Sequence, residues 1–217
     1  MDVAEAKVRE IHKTLNFSFG NIEEELPEQI ITAKYLKGDE KVLEIGGNIG
    51  RNSMIIASIL NKNNNHNYVT VEMCPDDYKK LEQNRSQNNL NFTIVNGAIS
   101  KRPLIAHGWS SYPFEGIMPP DYYMVNTITW NEFKKIIPIE FDTLIADCEG
   151  ALFYILQDTP EILDNIKLII VENDYFNNYK QAFVENIYKE KGFVRDYYQV
   201  HPGDANFPNF FEVWIRN

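Results

Sequence analysis

Apolar positions along this chain follow two rhythms that alternate. Val3, Val8, Ile11 and Leu15 recur at helical spacing and predict a helix over residues 2–15, followed by a turn in FSFGN. Pro27, suited to a first helical turn, opens a second predicted helix that carries Ile30, Ile31, Ala33, Tyr35 and Leu36 and stops at Gly38. KVLEI (41–45) is a short, nearly continuous apolar run, read as a buried strand. SMIIASIL (53–60) reads as a helix, and the Asn-rich run 61–67 as a solvated loop. YVTVEM (68–73) predicts a second strand. PDDYKKLEQNRSQNN (75–89) predicts a helix with proline in its first turn and acids near its positive end. NFTIVNGAIS (91–100) predicts a third strand that runs into a glycine turn.

Residues 101–121 lose both rhythms. They are too long for an ordinary connection and form a candidate active-site flap. Beyond them, YYMVNTITW (122–130) predicts a strand and WNEFKKII (130–137) a short helix ended by Pro138. FDTLIADCEG (141–150) and KLIIVEND (167–174) predict buried strands that end in acids. ALFYILQDTPEIL between them reads as a helix broken at Pro160. YKQAFVENIYKEKG (179–192) predicts an amphipathic helix closed by Gly192. FVRDYYQV and FFEVWIR, joined by HPGDANFPN, predict a closing pair of strands. Strands alternating with helices imply an α/β architecture with a mainly parallel sheet, and the closing pair implies one antiparallel edge strand. With 217 residues and no repeat or linker, we expect one main domain (39–217) behind an N-terminal helical segment (1–38).

Composition narrows the classes of partner. Hydrophobic residues make up 44% and charged residues 24%, as in ordinary globular proteins, with a formal net charge of -10. That charge argues against a nucleic-acid partner, which calls for a basic face, and against an anionic membrane surface. No run approaches the roughly 18–20 apolar residues of a membrane span. MDVAEAKVREIHKTL is charged throughout and has no signal-peptide core. Cys74 and Cys148 lack metal or redox spacing and are expected as buried thiols in a reducing compartment. The expected location is the cytoplasm of the producing or host cell. The oligomeric state is left open.

Candidate chemistry begins at VLEIGGNIG (42–50), a strand entering a glycine turn. The dinucleotide fingerprint G-x-G-x-x-G, aligned on Gly47 and Gly50, fails at Ile45. A Walker lysine is also missing, because Arg51 and Asn52 follow Gly50. A nicotinamide oxidoreductase is therefore poorly supported. Glu44 beside the loop would repel a pyrophosphate on the helix N-terminus. S-adenosylmethionine has no phosphate and carries an ammonium, a carboxylate and a sulfonium. Glu44 is a candidate for its cationic end, directly or through water, and the helix N-terminus around Asn48 for its carboxylate. Gly46, Gly47 and Gly50 would let it lie on bare backbone. Glu72, with Met73 beside it, ends the second strand where a carboxylate can accept hydrogen bonds from ribose hydroxyls. Asn96, Gly97 and Ala98 end the third strand, where they would flank the adenine. The plainer readings, a tight turn and a surface carboxylate, stay open for each feature taken alone.

The order VLEIGGNIG, VTVEMCP, NGAIS, VNTITW, FDTLIADCEGALFYIL and LIIVEND resembles the FkbM family of S-adenosylmethionine-dependent methyltransferases. IADCEGALFYIL (145–156) resembles that family's strand ending in Asp-x-Glu-Gly ahead of a helix. TITW (127–130) resembles its Thr-x-x-Leu segment, with Trp130 for the leucine. EMCP resembles its Glu-Pro pair with Met73 and Cys74 intervening. The resemblance covers residues from about 40 to about 195, leaving the first 38 and the loop after Ser100 unmatched. It implies the Rossmann-like seven-stranded methyltransferase fold and O-methylation of a hydroxyl, with sugars and natural-product scaffolds among the acceptors.

Methyl transfer needs the acceptor oxygen in line with the methyl group and a base or metal to deal with its proton. Asp147, at the end of its strand, is the leading candidate for acceptor binding or proton removal, and it borders the cofactor set. Glu149 is either a second catalytic acid or a helix cap. His201, in the closing hairpin, is a candidate base, while His12 and His66 read as surface residues and His107 falls in the flap. Glu172, Asn173 and Asp174 could add oxygen ligands for Mg2+ or Ca2+, in a layout like that of catechol-type methyltransferases, although the leading reading needs no metal. Trp109, Tyr112, Phe114, Phe207 and Phe210 are candidates either for stacking on a sugar or for packing. The sequence thus points to an S-adenosylmethionine-dependent O-methyltransferase with a small-molecule or saccharide acceptor. A metal-assisted enzyme for a phenolic acceptor and a catalytically silent subunit that binds a protein remain as alternatives.

Overall fold

The computed structural model describes residues 2–175, 178–201, 203 and 209–217. Phe207, one of the candidate stacking aromatics, lies outside them. Internal contacts divide the chain into two compact units, Met1–Asn96 and Gly97–Asn217.

The first unit runs α1 (Val3–His12), a 3-10 helix (Ile22–Glu25), α2 (Leu26–Tyr35), β1 (Val42–Ile45), α3 (Arg51–Asn61), β2 (Tyr68–Glu72), α4 (Pro75–Gln87) and β3 (Thr93–Asn96). β1 pairs parallel with β2 from Val42 opposite Tyr68, and β2 parallel with β3 from Val69 opposite Thr93. Every residue of β1 and β2 is buried, as expected for parallel strands covered on both faces. The N-terminal helices join this core through Val8, Ile11, Ile31 and Leu36. Lys7 Nζ donates to the carbonyls of Ala33 (3.0 Å) and Leu36 (3.2 Å) at the C-terminal end of α2. There a cation meets the negative pole of the helix. Arg51, at the start of α3, pairs with Glu25 at 3.0 Å and with Glu24.

The second unit contains β4 (Ala98–Ile99), β5 (Leu104–His107), β6 (Ser110–Pro113), β7 (Tyr123–Met124), β8 (Thr127–Ile128), α5 (Trp130–Ile136), β9 (Thr143–Ala146), α6 (Leu152–Asp158), a 3-10 helix (Pro160–Leu163), β10 (Leu168–Glu172), α7 (Asn178–Glu190), β11 (Val194–Gln199) and β12 (Phe211–Ile215). β9 and β10 pair parallel, and β12 runs antiparallel to both β10 and β11. The seven-stranded, mainly parallel sheet has the order β11-β12-β10-β9-β1-β2-β3, the α/β architecture expected from the alternation of strands and helices, in the Rossmann-like form that the resemblance implied. α5 begins with a full capping box, in which the Thr129 side chain accepts from the Glu132 N–H and the Glu132 side chain accepts from the Thr129 N–H.

Four expectations change. The antiparallel strand β12 is not at the edge; it sits between β10 and β11, which puts β11 at the edge. The unpatterned stretch 101–121 contains β5 and β6, which with β7 make a separate antiparallel sheet in the order β6-β5-β7. The predicted strand 122–130 breaks in two, because β7 pairs with β5 and β8 pairs parallel with β4. Both cysteines are free, and both are half-buried rather than buried. Among the described residues no helix is long and apolar enough to cross a membrane.

Gly50 tests the packing behind the glycine turn. Its φ is 96°, and a Cβ there would lie 2.4 Å from Leu81 Cδ1, a fully buried side chain. Gly50→Ala should cost about 1–3 kcal/mol from backbone strain and overpacking combined. The readout is the urea midpoint followed by far-UV circular dichroism, and an unchanged midpoint would contradict this packing.

Candidate functional site

In the first unit the buried strand β1 delivers the chain to the turn Gly46–Gly50, where Gly46 (φ 93°), Asn48 (φ 46°) and Gly50 all adopt left-handed backbone. Each N–H of this turn has a partner. Gly46 and Gly47 donate to the Val71 carbonyl at 2.9 and 3.3 Å, and Gly50 donates to Gly47 O at 2.9 Å. Asn48 N–H donates to Glu72 Oε2 at 2.7 Å, and Ile49 N–H to Asn48 Oδ1 at 2.8 Å. Gly47 is required by its surroundings, since a Cβ there would stand 2.3 Å from Thr70 Oγ1. The turn therefore offers shape more than free donors.

Glu72 closes the arrangement. Its second oxygen, Oε1, accepts from the Cys74 N–H at 2.7 Å, so one carboxylate ties the glycine turn to the start of α4. Burial raises its carboxyl above the ordinary range, while the Cys74 and Asn48 amides pull it back down. Asn96 Nδ2 donates to the Glu72 carbonyl at 2.9 Å, fixing the end of β3 to the end of β2. Met73, half-buried, follows Glu72 at this corner.

Glu44 sits differently from the expectation of a ligand-facing acid. Its side chain is buried, and Oε2 accepts from Ser53 Oγ at 2.6 Å and from Tyr68 OH at 2.5 Å. Burial pushes its carboxyl up to about 7 against the downward pull of these hydroxyls. In this structure its hydrogen bonds go to the protein.

In the second unit, Gly97 is pressed against Asn126, whose carbonyl oxygen would lie 2.7 Å from a Cβ. Ala98 N–H donates to that same oxygen at 2.8 Å. The acids collect further along. Ala146 of β9 stands opposite Val171 of β10 in a parallel register, so the next residues, Asp147 just past β9 and Glu172 at the last position of β10, follow side by side. With Asp174 they place carboxylate oxygens within 4.8 Å of one another, all three side chains half-buried. Burial pushes the Asp174 carboxyl up to about 7, the nearby Glu149 charge adds to the rise, and a hydrogen bond with Glu172 opposes it. Glu149 has a left-handed backbone (φ 51°), and burial raises its carboxyl too. α6 begins without a side-chain cap, which leaves the capping alternative for Glu149 unsupported.

Asn173, between two of the acids, is a fastener. Its N–H donates to Phe210 O at 2.7 Å and its Nδ2 to Asn209 O at 2.8 Å. Behind it the buried Glu212 accepts from Arg195 Nη1 at 2.6 Å and from Trp214 Nε1 at 3.0 Å. His201 packs edge-on against Phe210, with ring centroids 4.4 Å apart, and its Nδ1 accepts from the Gly203 N–H at 3.0 Å. These contacts belong to the closing hairpin, whereas Glu172 and Asp174, left outside the leading catalytic set by the sequence, stand with Asp147. The sequence offered Glu172 and Asp174 as oxygen ligands, and parallel register brings them to Asp147, since two neighbouring strands that both end in acids must bring those acids together.

Glu44 sets a pH test. A carboxyl that titrates near 7 when folded and near 4.5 when unfolded binds more protons in the folded state between those values. Its contribution to stability is fully present below pH 4.5 and is lost as the pH rises through about 7. Urea midpoints measured from pH 4.5 to 7.5 should show that Glu44→Gln loses less stability across the window than the wild type. Parallel curves would place the titration elsewhere.

No protein-family model matches the chain, and no curated protein matches it in sequence. Solved structures do match in shape. A putative RNA methyltransferase from Pyrococcus horikoshii aligns over 100% of this chain and 98% of its own, with a TM-score of 0.56 at 12% identity. An O-methyltransferase from Bacillus cereus, solved in complex with SAH, covers 100% of this chain and 92% of its own, with a TM-score of 0.51 at 13% identity. A precorrin-6y C5,15-methyltransferase from Geobacter metallireducens covers 94% of each chain, with a TM-score of 0.55 at 11% identity. At such identities the likeness speaks for architecture alone: the chain has the Rossmann-like α/β fold that these methyltransferases share.

Proposed function

We propose that the chain is an S-adenosylmethionine-dependent O-methyltransferase of FkbM type, acting on a hydroxyl of a small molecule, with a sugar or glycan as first choice. The observation that carries this reading is the state of the glycine turn and Glu72. All five turn N–H groups are already bonded, and Arg51 follows where a phosphate-binding loop would place lysine, so the turn is poorly suited to a pyrophosphate. Glu72 spends one acceptor position of each oxygen on the Asn48 and Cys74 amides. A carboxylate has about four such positions, so capacity is left for the two hydroxyls of a ribose. A nucleoside cofactor without phosphates fits these residues. Gly46, Gly47, Asn48, Gly50, Glu72, Met73 and Asn96 of the first unit are its proposed neighbours. The cofactor, when bound, supplies a methyl group made electrophilic by a sulfonium.

Asp147 is the proposed group for the acceptor. Its carboxylate would accept the hydrogen of the acceptor hydroxyl, holding the oxygen in position and drawing off its proton. Asp174, whose carboxyl titrates near 7, is poised to carry a proton beside it. A second reading is favoured by the meeting of Asp147, Glu172 and Asp174 within 4.8 Å. Oxygen-only ligands at this spacing suit Mg2+ or Ca2+, which would polarise the acceptor oxygen, as in the metal-assisted alternative.

Calorimetry should detect binding of S-adenosylmethionine and none of NAD; the reverse would refute the reading. With an acceptor in hand, Asp147→Asn should lower single-turnover methylation roughly 10²–10⁴-fold, the range for a lost acid–base group, while changing cofactor affinity far less. Near-normal turnover would remove Asp147 from the chemistry. Dialysis against EDTA separates the two readings, since most activity should survive it if Asp147 acts alone. Activity abolished by EDTA and restored by Mg2+ would establish the second reading.

A further inference from the structure

The stretch between β4 and β8 is the part of the second unit that the fold does not need for its main sheet. Its three strands pair so that Tyr112 of β6 and Met124 of β7 both stand opposite Ile105 of β5, which puts the three on one face. His107, two residues beyond Ile105, shares that face. The other face carries Leu104, Ala106 and Ser111, all buried. The sheet thus has one face closed, while on the other Ile105 is buried at the centre and the residues around it are open. On the open face His107 is exposed, and Tyr112 and Met124 are 42% and 50% exposed. Tyr122 stacks on His107 with centroids 5.1 Å apart and planes 24° from parallel, and it lies 6.3 Å from the Tyr112 ring. Trp109, 67% exposed, occupies the turn between β5 and β6.

We propose that this open face is a docking platform for a neutral saccharide, which lays the C–H side of its ring on Tyr112 and Tyr122. The charge pattern selects the occupant. From Leu104 to Met124 the chain has no lysine or arginine, and its only formal charges are those of Glu115 and Asp121. A phosphate, carboxylate or nucleic acid finds no counter-charge there. Aromatic rings present a negative face to the weakly positive C–H hydrogens of a sugar, and the tyrosine hydroxyls and the imidazole can bond its hydroxyls. Such rings offer large contact area at little cost in side-chain entropy. As the docking place of an acceptor, the platform rests on the hydroxyl-methylating reading; as a saccharide site, it can be tested without it.

The test is saturation-transfer NMR on the full chain with methyl β-D-glucopyranoside, methyl α-L-rhamnopyranoside and cellotetraose. We expect transfer to ring C–H protons from at least one of them, and a Kd at least tenfold weaker in Tyr112→Ala/Tyr122→Ala, with Tyr122→Phe keeping most of the affinity. Calorimetry with S-adenosylmethionine, run on the same samples, should not distinguish the double variant from wild type. Absence of transfer from all three sugars at millimolar concentration would overturn the platform, as would equal binding by the double variant. Concentration-dependent self-association that disappears in the double variant, seen by sedimentation without any sugar effect, would reassign the face to a second copy of the chain. Sugar binding without cofactor binding would sink the methyltransferase reading and leave the platform standing, and cofactor binding without sugar binding would do the opposite.

Discussion

A carboxylate withdrawn from water has to receive hydrogen-bond donors, a counter-charge or a proton, and the strand ends of this acidic chain are organised around that requirement. Glu44 is met by the hydroxyls of Ser53 and Tyr68. Glu72 is met by two backbone amides and thereby decides where the glycine turn lies. Glu212 is met by the Arg195 guanidinium and the Trp214 indole. Asp147, Glu172 and Asp174 are held together by register, and Asp174, pushed up by burial and by the Glu149 charge, holds its proton to about pH 7. The first three arrangements build the protein. The fourth is the one on which the proposed chemistry rests.

These solutions depend on support at some distance along the chain. Ser53 can reach Glu44 because α3 starts at Arg51, and Arg51 is itself gripped by Glu24 and Glu25 ahead of α2. The N-terminal helices, which carry no candidate chemistry, thus help to set the first turn of the helix behind the glycine loop. In the second unit Asn173 fastens the end of β10 to Phe210 and Asn209, and so places Glu172 and Asp174 on either side of a fixed point. Substitutions at such fasteners would disturb the acids without touching them.

Much of this was legible in the sequence, and the remainder was hidden for identifiable reasons. Buried parallel strands such as VLEI and TLIA announce themselves as apolar runs, and proline or glycine marks the starts and ends of several helices. The order of strands in the sheet is a long-range property, which is why β12 was expected at an edge and lies one place inside it. β5 and β6 were missed because each is four residues long and borders a Gly-Trp turn, with too few positions to show alternation. Glu44 read as a ligand because a carboxylate beside a glycine loop resembles a binding group. Only the fold reveals that Ser53, nine positions later, and Tyr68, twenty-four later, turn back to occupy it. Asp147 and the acids of the next strand end were legible as a set of oxygen ligands, whereas their closeness depended on β9 and β10 being neighbours.

The pairing of β4 with β8 carries a consequence for how such a chain can change over time. These two strands, two residues each, run parallel and close the neck of the whole excursion from Ser100 to Asn126. The Ala98 N–H and the Asn126 carbonyl hold one side of the neck, and the Ser100 N–H and the Ile128 carbonyl the other. A segment joined at so narrow a waist behaves as a cassette. Its length and side chains can be rewritten while the strands on either side keep their partners, so the proposed docking face and the scaffold are free to evolve at different speeds.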